Sequence, residues 1–464
     1  MRSGNRPVRV RYVIAFEWIA ALSSVCLFYA SVEAFSGSDA RALGMGEAYT
    51  AVARNIEALD WNPANLGLPS RNRVSLIVGL PGIGVGFDNT VLSLGMIDQY
   101  SGTYLTERDK QDILDKMRDG IGINTQFTYD VFGLSIKRFG IKYSIQSVVH
   151  VTFSKAPFDI VLNGISVGKT IELDDFDAKA ALLGVTSFSY AHPLTPFIGA
   201  PLKKVGVSDL VAGITLKHLA GLAYAEVETP GSKIECNEYF WNTEGTALVK
   251  VAGYKLDLNK DSEGYSPGLS GSGLAVDLGV GATAGENLTV SLGVMNVLGS
   301  ITWNKDTYKG VLTFSADSLN VVEVAQDTTD GDSLYTSTDT SYAIGSFSTN
   351  YPAYLDLGVA YKLSPGVTWL ADEILLTADW RQGFGSGMGV STTPRLAFGV
   401  EDGFLWGFLP LRFGLAFGGG EGTITTYGFG LDLGYATWDL ALKNFGGFSS
   451  TRGISVATRF KFGW

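Results

Sequence analysis

The chain has 464 residues, and only 17% of them are charged, against about 25% in a typical soluble domain. Its net charge of −11 makes it a poor candidate for binding nucleic acid. Of its two cysteines, Cys26 lies in a predicted leader, so that Cys236 has no partner for an internal disulfide in the mature chain.

The amino terminus has the layout of a secretory signal peptide. The first eleven residues are rich in arginine, residues 12–29 are largely apolar, and the small-x-small pattern of residues 32–34 offers a cleavage site before Phe35. An uncleaved anchor helix is the alternative. No other stretch approaches the ~18 consecutive apolar residues that a helical membrane span needs. The sequence therefore predicts a signal peptide over 1–34 and an exported protein that is not a helical membrane protein.

Residues 35–71 do not alternate as a strand does. They are rich in alanine, are punctuated by glycine and proline, and carry apolar side chains such as Leu43, Tyr49 and Leu59. We expect a compact segment of short helical turns whose apolar side chains are buried against another part of the chain.

An ordered motif in this segment carries a resemblance to a known family. The motif residues are Gly44, Met45, Gly46, Trp61, Asn62, Pro63 and Ala64. They resemble the N-terminal signature of the FadL/PorV-type outer-membrane barrel superfamily, which contains long-chain fatty-acid transporters, PorV-type barrels of a secretion system and uncharacterised relatives. The resemblance implies that 35–71 is a hatch (a plug) inside a fourteen-stranded barrel formed by 72–464. Glu47 departs from the pattern, since a small residue is commoner there.

The rest of the chain alternates with period two. Apolar residues at 427, 429 and 431, for example, alternate with Gly428 and Gly430, and aromatic residues stand at both ends of the apolar face. This is typical of a transmembrane β-strand with an apolar outer face, aromatic girdles and a small or polar lumen face. We predict an all-β transmembrane antiparallel barrel of about 14 strands. The predicted strands lie within 72–88, 122–136, 139–154, 180–192, 207–224, 274–280, 287–298, 355–361, 370–381, 396–400, 409–418, 423–434, 435–444 and 452–464.

The connections between these strands sort into two kinds. With the carboxyl terminus in the periplasm, the tight turns at 137–139, 284–287, 364–366 and 434–436 all face the periplasm. The long connections 89–121, 155–179, 225–270 and 299–350 all face outward, as in outer-membrane barrels. Within them the sequence predicts a helix over 107–118 and a hairpin around 246–257. A phase slip between Val131 and Phe132 predicts a β-bulge.

No catalytic constellation is evident. His150, His192 and His218 have no Cys, Asp or Glu partner at metal-ligand spacing, and no nucleophile elbow or phosphate loop occurs. We therefore predict a protein that is not an enzyme and has no metal and no cofactor.

Charges on the predicted lumen face have two interpretations. They could pair with each other and with the hatch in a hydrated interior, which we favour, or they could line a polar path for solute. The predicted lumen charges are Lys142, Asp277, Asp356, Lys362, Asp379, Arg381, Arg395, Glu401, Arg412, Asp432, Lys443, Arg459 and Lys461.

The resemblance implies an outer-membrane location in the Gram-negative-type envelope of a diderm bacterium, and passive uptake of hydrophobic, fatty-acid-like small molecules. Candidate apolar binding residues in the outer loops are Tyr239, Phe240, Trp241 and Trp303. An aromatic girdle is the alternative role for these side chains. The alternative function is a secretion-associated or structural scaffold that binds other proteins.

The last strand ends in aromatic residues on its apolar face: Phe460, Phe462 and Trp464. They resemble the C-terminal signal by which the barrel-assembly machinery recognises its clients. Outer-membrane lipid and this machinery are therefore the predicted partners.

Overall fold

The computed structural model describes residues 39–464 except 119, 165, 205, 239, 257–267, 321–335, 365–372 and 448–449. The predicted signal peptide (1–34) and the first hatch residues lie outside the described residues. Most of the predicted turn at 364–366 also lies outside them.

Within the described residues, fourteen antiparallel strands close into a barrel. Each strand pairs with the next one along the chain, and the last pairs with the first. The predicted barrel of about 14 strands is thus confirmed. The strands are β1 Val74–Asn89, β2 Ile121–Ile136, β3 Phe139–Phe153, β4 Asp177–Pro193, β5 Val207–Glu228, β6 Gly271–Ala284, β7 Leu288–Trp303, β8 Tyr354–Leu363, β9 Ile374–Gly383, β10 Arg395–Phe404, β11 Leu409–Gly418, β12 Ile424–Asp432, β13 Ala436–Phe445 and β14 Gly453–Gly463.

The alternation in the sequence becomes the two faces of the wall. In β11 the side chains of Leu411, Phe413 and Phe417 are exposed on the outer surface, whereas Arg412 and Ala416 are buried in the lumen. An apolar outer belt around a polar interior is the arrangement that lipid selects. The side with short turns is called periplasmic below, and the side with long connections is called outer.

Helical turns are confined to the hatch and the connections. They are α1 Ala40–Gly44, a 3₁₀ turn Asn55–Glu57, α2 Ala58–Trp61, a 3₁₀ turn Pro63–Gly67, α3 Leu94–Tyr100, α4 Glu107–Met117, α5 Ala156–Asn163 and α6 Thr195–Lys204. α4 is the helix predicted over 107–118, and a capping box between Thr106 and Asp109 fixes its start. None of the described helices combines the length and the apolar character that crossing a membrane requires.

The outer connections contain more strand structure than the sequence predicts. The additional strands are Thr170–Glu172, Lys233–Cys236, Phe240–Ala252, Tyr308–Asn320, Thr336–Ala343 and Phe347–Asn350. The prediction of 299–350 as a loop is therefore wrong, because three of these strands lie in it. The predicted hairpin around 246–257 is also wrong, since Phe240–Ala252 pairs locally with Lys233–Cys236 and across the sheet with Tyr308–Asn320. Pairing between segments about sixty residues apart leaves no local signal in the sequence.

Candidate functional site: hatch, lumen and wall

The hatch fills the lumen. Asp39 caps α1, since its carboxylate accepts a hydrogen bond from the Ala42 amide (3.2 Å). The side chains of Leu43, Tyr49 and Leu59 are fully buried. The alanine-rich segment therefore buries its apolar side chains against the barrel and its own turns, as the sequence predicts.

Glycines on the lumen face let the hatch backbone lie against the wall. A Cβ atom added at Gly213 would lie 2.2 Å from the Ala64 amide nitrogen, and one at Gly414 would lie 2.0 Å from the Gly46 nitrogen. One at Gly358 would lie 2.8 Å from a hatch nitrogen. No side chain fits at such distances, so much of the glycine content serves backbone-to-backbone contact between hatch and barrel.

The first half of the hatch motif attaches to β10–β12. Gly46 has φ +65°, a left-handed conformation that favours glycine. Its amide donates to the Thr426 hydroxyl (2.8 Å), and its carbonyl accepts from Arg395 (2.9 Å). Met45 is fully buried, and Gly44 packs against Gly428 of β12.

The second half attaches to the opposite wall, β5–β7. The Asn62 amide group donates to the carbonyls of Val280 (3.1 Å) and Leu292 (3.0 Å). Pro63 and Ala64 lie against Gly213, and the Trp61 ring packs edge-on against Tyr49 at 5.6 Å. The seven predicted motif residues thus attach the hatch to the barrel at two places, one on β10–β12 and one on β5–β7.

Ion pairs fasten the hatch to the outer end of the barrel. Glu47 lies 2.8 Å from Arg395 and 3.3 Å from Lys443, and all three side chains are at most 7% exposed. Glu421, from the turn between β11 and β12, reaches Lys443 at 2.7 Å. One cluster therefore joins the hatch to an outer turn of the barrel. Glu47, at a motif position where a small residue is commoner, supplies the central carboxylate of this cluster.

A second ion-pair group forms deeper in the lumen. Arg41 of the hatch pairs with Glu401 (2.6 Å), which also pairs with Arg412 (2.5 Å). Arg412 reaches Asp439 at 2.7 Å. The charges alternate in sign, so each buried charge has a neutralising neighbour.

A third group lies where the hatch begins. Arg459 contacts Asp130 (2.6 Å) and Asp39 (3.0 Å), and Lys142 contacts Asp130 (2.7 Å) and Asp60 (2.6 Å). The interpretation that lumen charges pair with each other and with the hatch is confirmed. Lys362 and Asp432 lie near the rim, where Lys362 pairs with Glu373 and Asp432 pairs with Arg71 at the end of the hatch segment.

Two hatch carboxyls have opposite pKa shifts. Burial raises the pKa of Asp39 to about 6, although Arg459 opposes the shift. Burial also acts on Glu57, but Lys461, Arg41 and Arg459 outweigh it and lower the pKa of Glu57 to about 2. Glu57 therefore stays ionised in the docked hatch.

The ladder at the closing seam is irregular. On β1, Leu76 pairs with Phe462 of β14, and Ile83 pairs with Thr458. The register of β1 against β14 therefore shifts between these pairs, with six residues of β1 facing three of β14. On the other side, β1 shifts register against β2 between Val78 and Gly82. The bulge predicted near Val131 is confirmed beside this shift, since β2 and β3 shift register between Asp130 and Phe132.

A small polar cavity lies between the hatch and β2–β3. Its lining consists of Asp39, Asp60, Trp61, Gln126, Thr128, Lys142 and Gln146. The volume that the centre of a water molecule can occupy in this cavity is ≈ 20 Å³, which is enough for about one water molecule. The buried Trp61 indole Nε1 has no hydrogen-bond partner among the described residues.

A packed cluster of apolar side chains, here called the apolar chamber, lies in the outer part of the lumen along β4–β7. Trp303 is fully buried, with its ring 5.4 Å from that of Tyr224 and 6.5 Å from that of Phe347. The ring rests on Gly221 and Gly271, which pair with each other, and its Nε1 donates to the Thr349 hydroxyl (2.9 Å). The chamber residues are Ala181, Leu183, Val185, Leu219, Tyr224, Ala252, Ala275, Ile301, Trp303, Tyr351, Phe347 and Met388.

The three predicted outer-loop residues that the structure describes do not form one site. Trp303 ends β7 and belongs to the chamber, whereas Phe240 is 43% exposed and Trp241 half-buried on the strand Phe240–Ala252. Tyr239 lies outside the described residues. The sequence analysis missed Tyr224 and Phe347. The glycines at 221 and 271, on the same face of neighbouring strands, were the only available signal of a large ring above them.

The C-terminal aromatics lie on the outer surface. The Trp464 side chain is 62% exposed, and the rings of Phe460 and Phe462 meet edge-on at 5.0 Å. The Trp464 carbonyl accepts hydrogen bonds from the amides of Arg73 (2.9 Å) and Val74 (3.0 Å). The last residue therefore helps to close the barrel through its backbone.

Comparison with known proteins places the chain by sequence and by fold. The sequence model described as "Family of unknown function (DUF5723)" matches residues 67–400, and no curated protein matches the chain. Among solved structures, the TodX deltaS2S3 mutant monoaromatic hydrocarbon channel has a TM-score of 0.50 at 13% identity and covers 93% of this chain and 99% of its own. At that identity the likeness shows the fold alone, and it confirms the predicted β-barrel fold.

Two other solved structures match over similar lengths. The Ralstonia pickettii toluene transporter TbuX has a TM-score of 0.47 at 13% identity, covering 93% of this chain and 99% of its own. A Pseudomonas aeruginosa FadL homologue has a TM-score of 0.41 at 10% identity, covering 93% and 98%.

Proposed function

This chain belongs to the DUF5723 family, whose function is unknown, and we propose that it is an outer-membrane channel for the passive uptake of hydrophobic small molecules. We place it in the outer membrane of a diderm bacterium. Fatty-acid-like amphiphiles are the proposed substrates, since an apolar chamber lies outside the hatch and a polar cavity beside it. The structurally similar TodX deltaS2S3 mutant is a monoaromatic hydrocarbon channel, and such hydrocarbons are likewise hydrophobic small molecules.

The observation that carries the proposal is a packed apolar cluster, the apolar chamber, at the outer end of the lumen that holds the hatch, together with a shift of ladder register in the wall. Glycine contacts and ion pairs fix the hatch in the lumen, where it obstructs the path of a polar solute. An apolar molecule can exchange water for the rings of Tyr224, Trp303 and Phe347. The seam between β1 and β14 is the proposed lateral exit, because the ladder register shifts there and six β1 residues face three of β14.

A cross-link across the seam tests this route. Val78 and Phe460 are both outward residues within the stretch where the register shifts, whereas the exposed residues Val85 and Val456 face each other in a regular ladder of the same two strands. Val78→Cys with Phe460→Cys is the test pair, and Val85→Cys with Val456→Cys is the control, both in a Cys236→Ser background. A cleavable bismaleimide would join each pair.

Uptake of a fluorescent fatty acid and of toluene is measured in reconstituted vesicles. We expect cross-linking of the 78/460 pair to reduce uptake to the level of empty vesicles, and cleavage of the linker to restore it. The 85/456 cross-link should leave uptake unchanged. Equal uptake before and after cross-linking at 78/460 would reject the seam route, and no uptake by the uncross-linked protein would reject the transport function.

A scaffold that binds other proteins is the second candidate. The observation in its favour is the outer sheet, in which Phe240–Ala252 continues the wall by pairing with the end of β5. Its other edge pairs with Tyr308–Asn320, which in turn pairs with Thr336–Ala343. Purification in mild detergent followed by mass spectrometry separates the two functions. Bound acyl chains favour transport, whereas stoichiometric co-purifying proteins favour the scaffold.

A further inference from the structure

A groove crosses the outer surface of the barrel near its periplasmic edge. Two rows of outward side chains run across β2–β5. The row nearer the periplasm is Ile136, Phe139, Tyr190 and Ile214, and the second row is Leu134, Ile141, Phe188 and Leu216. Ladder pairs connect the members of each row from strand to strand. The rows therefore run side by side across four strands, over roughly 14 Å at the usual strand spacing.

The floor of the groove is low because of the residues between the rows. Gly140 and Ser189 form a ladder pair there, and the side-chain position of Gly140 faces Leu59 of the hatch, so that the strand backbone forms the floor. The groove encloses about 520 Å³, within the ~300–1,000 Å³ of typical small-molecule sites. Its walls are almost wholly apolar and aromatic; Phe139 and Phe188, for example, are more than half exposed.

Three exposed cations lie at the periplasmic end of the groove. Lys137 and Arg138 form the turn between Ile136 and Phe139, and the Lys137 amide donates to the Arg73 carbonyl (2.7 Å). None of these three cations forms an ion pair with another residue that the structure describes, whereas the neighbouring Arg71 pairs with Asp432 at 3.2 Å. In a chain of net charge −11, such a group of unpaired cations is a distinct feature.

We propose that this groove and its basic rim form a binding site for one anionic phospholipid of the periplasmic leaflet. An acyl chain lies between the two rows, and the phosphate lies against Arg73, Lys137 and Arg138. The charge of the rim selects the occupant, because clustered Lys and Arg at a membrane surface bind anionic headgroups. The aromatic rings of Phe139 and Tyr190, 4.9 Å apart, stand at the depth where interfacial aromatics are favoured.

The site is separate from the lumen. Its side chains lie on the outer face of β2–β5, while the hatch and the apolar chamber lie on the inner face. The proposal therefore does not depend on transport, and it assigns the groove a lipid ligand whether or not the barrel conducts a solute.

Native mass spectrometry of the folded, delipidated protein tests the site. The probe is an equimolar mixture of phosphatidylglycerol and phosphatidylethanolamine with identical acyl chains. We expect one phosphatidylglycerol per barrel, favoured over phosphatidylethanolamine by about tenfold or more, since each nearby cation contributes roughly fivefold. Absence of a retained lipid, or equal retention of the two lipids, would overturn the proposal.

Two variants locate the lipid. Combined Arg73→Gln, Lys137→Gln and Arg138→Gln should abolish the preference for phosphatidylglycerol, with Arg71→Gln as the matched control that keeps it. Ile141→Trp should fill the groove and lower retention of both lipids, whereas Val400→Trp on the outer face of β10 should not. If the triple variant keeps the full preference, the site is wrong, and this result decides the question even if Ile141→Trp fails to assemble.

Discussion

Single glycines of the barrel wall set how closely the hatch approaches it. At Gly213, Gly358 and Gly414 the hatch backbone occupies the place of a side chain. Other strands, β10 and β14 among them, carry on their lumen face charges that pair with the hatch. Docking of the hatch thus depends on both steric fit and ion pairing, and each can be tested separately.

Gly414→Ala tests the steric fit. The new methyl group would lie 2.0 Å from the Gly46 nitrogen, so the hatch must move, at a cost of roughly 1–3 kcal/mol for such overpacking. We expect a barrel that still assembles but whose hatch is cleaved faster by protease. Gly345→Ala is the control, because nothing lies within 4 Å of its added Cβ. Equal cleavage rates in the two variants would contradict the close contact.

Glu57 tests the ion pairing through pH. Its pKa falls from 4.5 to about 2 in the docked hatch. Its contribution, roughly 3 kcal/mol at 1.36 kcal/mol per pKa unit, is therefore complete above pH 4.5 and is lost as the pH falls towards 2. Protease accessibility of the hatch should rise over that window. Glu57→Gln should remove this part of the pH dependence, whereas Glu107→Gln on the exposed α4 helix should leave it unchanged.

Asp39 acts in the opposite sense and in another pH window. Its pKa is raised from 3.8 to about 6, so the docked hatch binds a proton that the released hatch gives up. The contribution of Asp39 to docking consequently falls as the pH rises from 3.8 to 6. The two carboxyls can be distinguished because their effects on hatch accessibility have opposite signs.

At the scale of the elements, each strand must direct its apolar side chains outward to lipid and its polar side chains into the lumen. Phe413 lies in the middle of β11 on the outer belt and is 36% exposed, while Arg412 beside it is buried among lumen carboxylates. A slip of one residue would place arginine in lipid and phenylalanine among charges. Strand register is therefore fixed by both faces at once.

Phe413→Arg tests the facing of this strand. An arginine on the lipid face costs roughly 2–4 kcal/mol at the bilayer midplane. We expect the variant to lose the heat-modifiable folded band in gel electrophoresis. Thr423→Arg adds the same charge in the exposed outer turn after β11 and should assemble normally. If both variants fold equally well, the assigned outer face is incorrect.

At the scale of the whole molecule, closure depends on the two ends of the barrel sequence. The final residue accepts two backbone hydrogen bonds from residues 73 and 74 and donates one to Val74 (3.1 Å). Its exposed indole takes no part in these bonds. Backbone closure and the proposed recognition by the barrel-assembly machinery therefore reside in different atoms of Trp464.

Trp464→Ala separates these two roles. We expect the variant to lower the yield of assembled barrel in cells while leaving the thermal stability of barrels already formed close to that of the parent. Deletion of Trp464 should lower both, because the backbone bonds to residues 73 and 74 are lost as well. Equal losses of yield and stability in Trp464→Ala would count against an assembly signal.

The sequence by itself determined the approximate positions and the facing of the fourteen barrel strands. These properties repeat locally: alternation with period two needs only neighbouring residues, and lipid on one side and water on the other impose it on every strand. It also located the hatch segment, because an apolar, alanine-rich stretch without alternation must be buried elsewhere. The turns between strands follow from local chemistry in the same way.

Only the tertiary structure decided which groups meet. Asp39 and Arg459 pair across almost the whole chain, Trp303 finds Tyr224 and Phe347 through three separate strands, and the loop strands pair without a local signature. Such contacts depend on barrel closure, which brings together residues that are far apart in the chain and follow no regular spacing. The register shift at the seam belongs to this class, since it is a mismatch in length between the first strand and the last.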